Sequence, residues 1–567
     1  MEGSTSAANV EGRTELVDSL MTRRADSLKG GEKILEDEKV ENSPDPSGSA
    51  SPYHSDDEDP NEKIIVAFDE GDKDDPYNFS RGRKLYIVFA GMLLVINSTM
   101  GSALPAGATD ATKKYFHIEN EEFLVLPVSI YLIGYILGPM VFAPLSESYG
   151  RKIVMTCTFI MFTIFVMASA LAPNFASLVV FRLLAGIGAS TPVSVIGGIY
   201  ADIYKDQRAR GLAITAFMAG TTWGPLGGPI IAGFISVAEG WRWAYWIELI
   251  IAGVTWPIFI FIPETYGPVL LERKAKKMRK ETSNPRFVAP SEVDKLDFWS
   301  IVTVVLTRPF RMFLFEAIVL FICLYLSLEY GIFYIFFQAY GPIFNGIYGF
   351  NPGEVGLAFL PIGVGAMIAT GCYLCWDWYL RRAQNSPHPP AWSQKEEYVR
   401  LPLACFGGPL IVIGLLWLGW AARPEVPWIV PVLGALPFGI GFLIIFMSLI
   451  NYIVDAYEVF AASALGAASA SRSIFGVVLP FAARPMYSSL GVAWACTLLA
   501  LLSALMCLVP FIFIKYGEKM RENSRFCKEL KRKKAQDEAR QQQRWERQRR
   551  ASDRLAEAEK GAAEKAA

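Results

Sequence analysis

The feature that most constrains this chain is a succession of about twelve long apolar blocks. Leu85–Ala108, Ile153–Pro173 and Thr497–Ile514 are three of them, each almost free of charge. A bilayer core about 30 Å thick is crossed by roughly 20 apolar residues of helix. Burial in a water-soluble core can account for one such block, but not for a dozen in a row. The pattern predicts an all-α membrane protein with twelve transmembrane helices.

The blocks fall into two sets of six. The first lies near 85–106, 123–145, 153–172, 177–200, 212–236 and 243–262. The second lies near 313–338, 355–377, 402–421, 427–453, 461–486 and 491–514. The expected organisation is an acidic, disordered N-terminal tail (1–83), a six-helix bundle (84–262) and a basic central loop (263–310). A second six-helix bundle (311–514) and a basic tail (515–567) complete it. The polar opening Met1–Glu62 has no cleavable signal, so the first span is expected to direct insertion itself.

Lysine and arginine set the orientation. Arg81, Arg83 and Lys84 precede span 1, Arg151 and Lys152 follow span 2, and Lys205, Arg208 and Arg210 follow span 4. Six basic residues between Arg273 and Lys280 follow span 6, and Lys515, Lys519 and Arg521 follow span 12. By the positive-inside rule both tails face the cytoplasm. A residue-level echo links the halves. Glu147 precedes Arg151 by four positions after span 2, and Asp377 precedes Arg381 by four after span 8. Repeated halves around a midplane site are the plan of many secondary transporters.

Ala143-Pro-Leu-Ser-Glu-Ser-Tyr-Gly-Arg-Lys152 is the strongest short motif. Gly150 permits a tight turn, while Glu147, Arg151 and Lys152 form a charge cluster at a helix end. Such a cluster either latches the two halves or only sets topology. The segment resembles the signature loop between spans 2 and 3 of the major facilitator superfamily, in the form found in fungal twelve-span drug:proton antiporters. Asp75-Pro-Tyr-Asn-Phe79, Trp241-Arg-Trp243, Pro263-Glu-Thr-Tyr266, Leu270-Leu-Glu-Arg-Lys-Ala275 and Asn451-Tyr-Ile-Val-Asp-Ala-Tyr457 extend the resemblance over about residues 75–526. It departs at Glu147, where aspartate is usual, and at Ser148, where a basic residue is common.

The resemblance implies a fold of two pseudo-symmetric six-helix bundles and further roles. Arg182, in Phe181-Arg-Leu-Leu-Ala-Gly-Ile-Gly188 of span 4, matches a motif whose arginine is implicated in proton transfer, with Ala185 at the usual glutamine. On the residues alone, Arg182 either faces a cavity or snorkels to the interface. Span 5 carries Gly220, Gly224, Pro225, Gly228, Pro229 and Gly233, similar to the antiporter motif, with Ala232 at one of its glycines. Closely spaced small residues let another helix approach, and prolines bend the backbone.

Span 7 contains Glu329 within Tyr325-Leu-Ser-Leu-Glu-Tyr-Gly-Ile-Phe-Tyr334. A carboxylate in apolar surroundings is able to carry a proton, or it pairs with Arg182 for packing alone. Tyr325, Tyr330, Phe333 and Tyr334 beside it, with Asn97 of span 1, are candidates to line a substrate cavity. The gating candidates are Glu147, Gly150, Arg151, Lys152, Asp377 and Arg381.

Other classes lack support. There is no GxxxxGK[ST] motif for ATP use. The three histidines lie outside the spans, and the Cys372/Cys375 pair sits in an apolar helix, so no metal site, cofactor or catalytic set is expected. The expected partners are a small-molecule substrate, protons and the lipid bilayer, with no nucleic acid. The resemblance implies a proton-coupled exporter of drugs or toxins in a fungal plasma membrane, expected to be a monomer. The alternative is a dedicated exporter of a fungal secondary metabolite, organic acid or polyamine.

Overall fold

The structure is a computed structural model. It describes residues 64–532, apart from 70, 294–297 and 458–459, together with positions 535, 539 and 542. The expected disordered tail lies mostly outside these residues.

Helices are α1 (Arg81–Gly107), α2 (Leu126–Tyr149), α3 (Arg151–Ala170), α4 (Phe175–Ile203), α5 (Gln207–Glu239) and α6 (Trp241–Ile260) in the first half. The helices α7 (Gly267–Thr282) and α8 (Phe298–Phe315) follow. The second half holds α9 (Ala317–Tyr340), α10 (Leu360–Gln384), α11 (Glu396–Ala421), α12 (Ala435–Tyr457), α13 (Ala461–Met506) and α14 (Leu508–Asn523).

Among the described residues, ten helical stretches are long and apolar enough to cross a membrane by length and composition. The last of them bends at Gly491, where φ is 74°, and so makes two passes, 461–490 and 492–523. Helix α5, diluted in hydropathy by glycine and proline, supplies the twelfth pass. Local sequence sets the helix ends. Ser80 caps α1 through the Arg83 amide at 3.3 Å, and Asn174 forms a capping box with Ser177 at the start of α4. Gly240, at φ 86°, separates α5 from α6.

The same packing scheme occurs in both halves. Helix α1 packs on α5, α2 on α4 and α3 on α4. In the second half α9 packs on α13, α10 on α12 and α11 on α12. The bundles meet where α2 touches α13 and where α5 touches α10. Large apolar residues such as Val254, Phe261, Leu501 and Leu505 stay exposed on the outer faces. In water such a surface invites association; against lipid tails it is matched.

A small unit joins the segment before α1 to the central loop. Strand β1 (Ile64–Ile65) pairs in parallel with β2 (Phe287–Val288). Val66, Ala275 and Ala289 are buried beneath it. Lys274 reaches Asp72 at 2.8 Å and Asp69 at 3.0 Å. Arg279 holds Glu292 through two hydrogen bonds of 2.8 Å and donates to Phe287 O at 2.7 Å. The Asp75–Phe79 motif is a capped turn, and Lys84 Nζ donates to Tyr77 O at 2.8 Å. Helix α8 runs across the expected loop boundary at 310 and stops at the extended residue Glu316.

Candidate functional site

Two buried charge centres lie in different bundles. In the first, Arg182 of α4 is fully buried. Its Nε donates to Pro127 O at 3.1 Å, and its Nη2 donates to Gly101 O. The guanidinium lies 4.2 Å from the Tyr131 ring centroid and 5.7 Å from that of Tyr245. Nη1 sits 3.9 Å from Glu248 Oε2, and Glu248 is also fully buried. Gly101 makes room for this pair, because a Cβ there would collide with the Glu248 carboxylate and come within 2.7 Å of Tyr131 OH. The sequence reading missed Glu248. Its signal was an acid in the apolar run of α6, the same signal that marked Glu329.

Glu329 of α9 is the second centre. It is fully buried, and neither carboxylate oxygen has a hydrogen-bond partner among the described residues. Its surroundings include Ser503, Tyr325 and Cys507, and Tyr325 OH lies 3.7 Å from Cys507 Sγ. Glu329 does not meet Arg182, whose acid is Glu248. Tyr325 turns toward Gly408 and Cys507 inside the second bundle. Phe333 stacks on Phe442 at 5.1 Å.

Hydroxyls bridge the bundles at two places, with further hydroxyls and rings beside them. Tyr334 OH and Ser102 Oγ are 2.6 Å apart, linking α9 to α1. Tyr330 OH donates to Tyr334 OH at 3.4 Å. Ser98 Oγ and Tyr135 OH are 2.5 Å apart, and Ser129 Oγ donates to Val477 O at 3.0 Å across the interface. Arg472 of α13 places its guanidinium 5.6 Å from the Tyr330 ring centroid. Asn97 turns the other way. It donates to Leu93 O at 2.9 Å and to Thr255 Oγ1 at 2.7 Å, tying α1 to α6 within its bundle.

The charge clusters at the helix ends close within their own bundles. Arg151 lies 3.7 Å from Glu147, 3.3 Å from Asp202 and 2.8 Å from Ser146 Oγ. Gly150 has φ 102°, and a side chain there would strike Glu264. That carboxylate caps α3, accepting from the amides of Arg151 at 2.9 Å and Lys152 at 3.2 Å. Asp377 pairs with Arg381 at 2.6 Å, one helical turn apart. Arg400, at the start of α11, pairs with Asp455 at the end of α12 at 2.9 Å and donates to Tyr373 OH at 2.8 Å. Arg400 therefore repeats the Arg151–Asp202 pairing. The four-residue spacing of Glu147/Arg151 and Asp377/Arg381 satisfies each pair locally, so neither spans the two halves here.

The glycine row of α5 packs tightly on α1. Gly220 faces Met92, Gly224 faces Thr99, and a Cβ at Gly228 would lie 2.8 Å from Leu104 N. Pro225 and Pro229 lie inside the same helix. At its outer end Gly233 abuts Pro352 and Gly353 of the segment before α10. Arg484 and Glu121 also pair between the bundles on this side. At this end the two bundles are thus in contact through both packing and charge.

With this geometry in view, the comparisons are consistent. The model of the Major Facilitator Superfamily matches residues 87–480. The transporter paaT of Penicillium rubens is 35% identical over 466 residues, covering 82% of this chain and 84% of that protein. The efflux pump FUBT of Fusarium oxysporum is 37% identical over 79% of this chain and 75% of its own length. The multidrug transporter mdrA of Aspergillus fumigatus is 34% identical over 83% and 76%. Among solved structures, the xylose transporter XylE from E. coli superposes with TM-score 0.55 at 16% identity, covering 77% of this chain and 98% of that one. The chain belongs to the major facilitator superfamily. It is a multi-pass membrane transporter with the two-bundle fold of that family.

Proposed function

We propose that the protein is a proton-coupled exporter of small organic molecules. It works as a monomer in the plasma membrane of a fungus, with both tails in the cytoplasm. The observation that carries the proton coupling is Glu329, a fully buried intramembrane carboxylate with no cation within 4.0 Å among the described residues. Ionisable groups at such depth are costly, so they mark ion pathways or pair with one another. The export direction is supported by kinship with fungal efflux pumps over about four fifths of the chain.

Two bundles rocking about a midplane site give alternating access. The contact of α5 with the segment 352–356, and the Arg484–Glu121 pair, would part when the site opens outward. A proton taken up by Glu329 from outside neutralises it, and its release to the cytoplasm returns the transporter to the substrate-loading form. Arg182, held by Glu248, keeps the first bundle's charge centre intact through the cycle. Gly220, Gly224, Pro225, Gly228, Pro229 and Gly233 form the surface on which spans 1 and 5 hold together. Glu147, Gly150, Arg151 and Lys152, with Asp377 and Arg381, stiffen the cytoplasmic ends of spans 2 and 8.

Expression in a fungus lacking its main efflux pumps tests this reading. Lower retention of several unrelated fluorescent compounds, abolished by a protonophore, is expected. Unchanged retention of every compound, with the protein at the cell surface, would reject broad export.

A further inference from the structure

The substrate's charge can be read from Arg472, and this inference rests on the exporter reading above. Arg472 sits eleven residues beyond the start of α13, about 16 Å along the helix at 1.5 Å per residue. Arg182, Arg400 and Arg484 each find a carboxylate. Arg472 does not: among the described residues no carboxylate oxygen lies within 4.0 Å of it. Its Nη2 donates to Ser469 Oγ of its own helix at 3.3 Å. Its guanidinium also lies over the face of Tyr330. A guanidinium keeps its proton under all ordinary conditions, so this is a fixed positive charge without a counter-ion.

Its surroundings suit an amphiphile. Tyr330 joins Arg472 to Tyr334 and, through Tyr334, to Ser102 of the other bundle. The Phe446 ring centroid lies 6.3 Å from that of Tyr330, offering an apolar wall. Glu329, the nearby acid in sequence, does not come within 4.0 Å of the Arg472 guanidinium. We infer that the transported molecule is an organic anion, a carboxylate on an apolar or aromatic body. Its oxygens meet Arg472 in the fork geometry that guanidinium offers. The body lies among Tyr330, Tyr334 and Phe446, with the Ser102 hydroxyl at its edge.

A matched set of probes tests this in the efflux-deficient fungus: 1-naphthylacetate, the neutral 1-naphthylacetamide and the cationic 1-naphthylmethylamine. The acid is expected to be exported fastest. Arg472→Gln is expected to slow export of the acid at least about thirtyfold, the factor that 2 kcal/mol represents when one partner of a buried charge pair is removed. Export of the amide should change less than about twofold on the same scale, which also shows that the variant is folded. Arg472→Lys should fall between the two. Equal loss of acid and amide in Arg472→Gln would make the residue structural and overturn the proposal. Export of amide or amine with the acid left behind overturns it while leaving the exporter reading standing. Retention of all three by the wild type overturns both.

Discussion

The two bundles carry the same helical plan but bury their charge differently. In the first, Arg182 and Glu248 face each other in the dry interior, with carbonyls and aromatic faces filling the remaining directions. In the second, Glu329 has no cation within 4.0 Å among the described residues. Arginine does not give up its proton, and Glu248 Oε2, 3.9 Å from Arg182 Nη1, is the carboxylate oxygen that faces it among the described residues. A carboxylate buried without a cation is tolerated far better in its neutral form. The paired centre is therefore suited to hold the fold, and the lone acid is suited to change state. Two similar scaffolds thus place one buried acid each in different surroundings.

The largest effect should come from splitting the pair. Glu248→Gln leaves Arg182 charged and uncompensated, and breaking such a pair costs about 3–5 kcal/mol. The expected result is loss of monodisperse protein in fluorescence-detected size exclusion. A joint Arg182→Met and Glu248→Leu change should recover folded protein, since both charges leave together. If Glu248→Gln melts like the wild type, the contrast between the bundles collapses.

The next effect sharpens the other side of the contrast. Glu329→Gln removes no partner, so the thermal midpoint should hold or rise. Proton-driven accumulation of substrate should be lost, while downhill flux remains. A third change separates packing from charge. Gly228→Val pushes a side chain into the α1 backbone near Leu104 and should destabilise by about 1–3 kcal/mol, as overpacking does. A thermal melt of the detergent-solubilised protein reads it directly.

The smallest effect lies outside the membrane. Arg279 hydrogen bonding holds the Glu292 carboxyl at about 2, below its ordinary 4.5. Its folded value is depressed, so its contribution is complete above pH 4.5 and fades as pH falls toward 2. Limited proteolysis of the central loop should quicken modestly across that window in the wild type. In Glu292→Gln it should already be quick at neutral pH.

Much of this was legible in the sequence because hydropathy and the positive-inside bias are local properties. Twelve passes and the two-bundle plan follow from them, and the glycine row of α5 announced close packing by composition alone. Partnerships were not legible. Arg182 meets Glu248 from a different helix, and nothing in the spacing of Trp241–Ile250 aims that acid inward. Arg472 was hidden for a related reason, because the span 11 block reads as apolar around it. The echo between Arg151 and Arg381 captured half of the repeat. The loop between α10 and α11 is long, so the counterpart that pairs with the next helix is Arg400, nineteen positions beyond Arg381. Neither Glu264 as the cap of α3 nor the strand that joins Ile64 to Phe287 leaves a signature short enough to read along the chain.

The most direct test of proton-driven export uses purified protein in liposomes that are acid inside by about two pH units. At one proton per uncharged molecule, such a gradient sustains up to about a hundredfold accumulation, a factor of ten per unit. The probe is a radiolabelled uncharged compound that the wild type exports from cells. The account predicts accumulation by wild type, its collapse on adding a protonophore, and none in Glu329→Gln despite intact downhill flux. Accumulation that survives the protonophore would contradict proton coupling. Full accumulation by Glu329→Gln would take the proton away from Glu329.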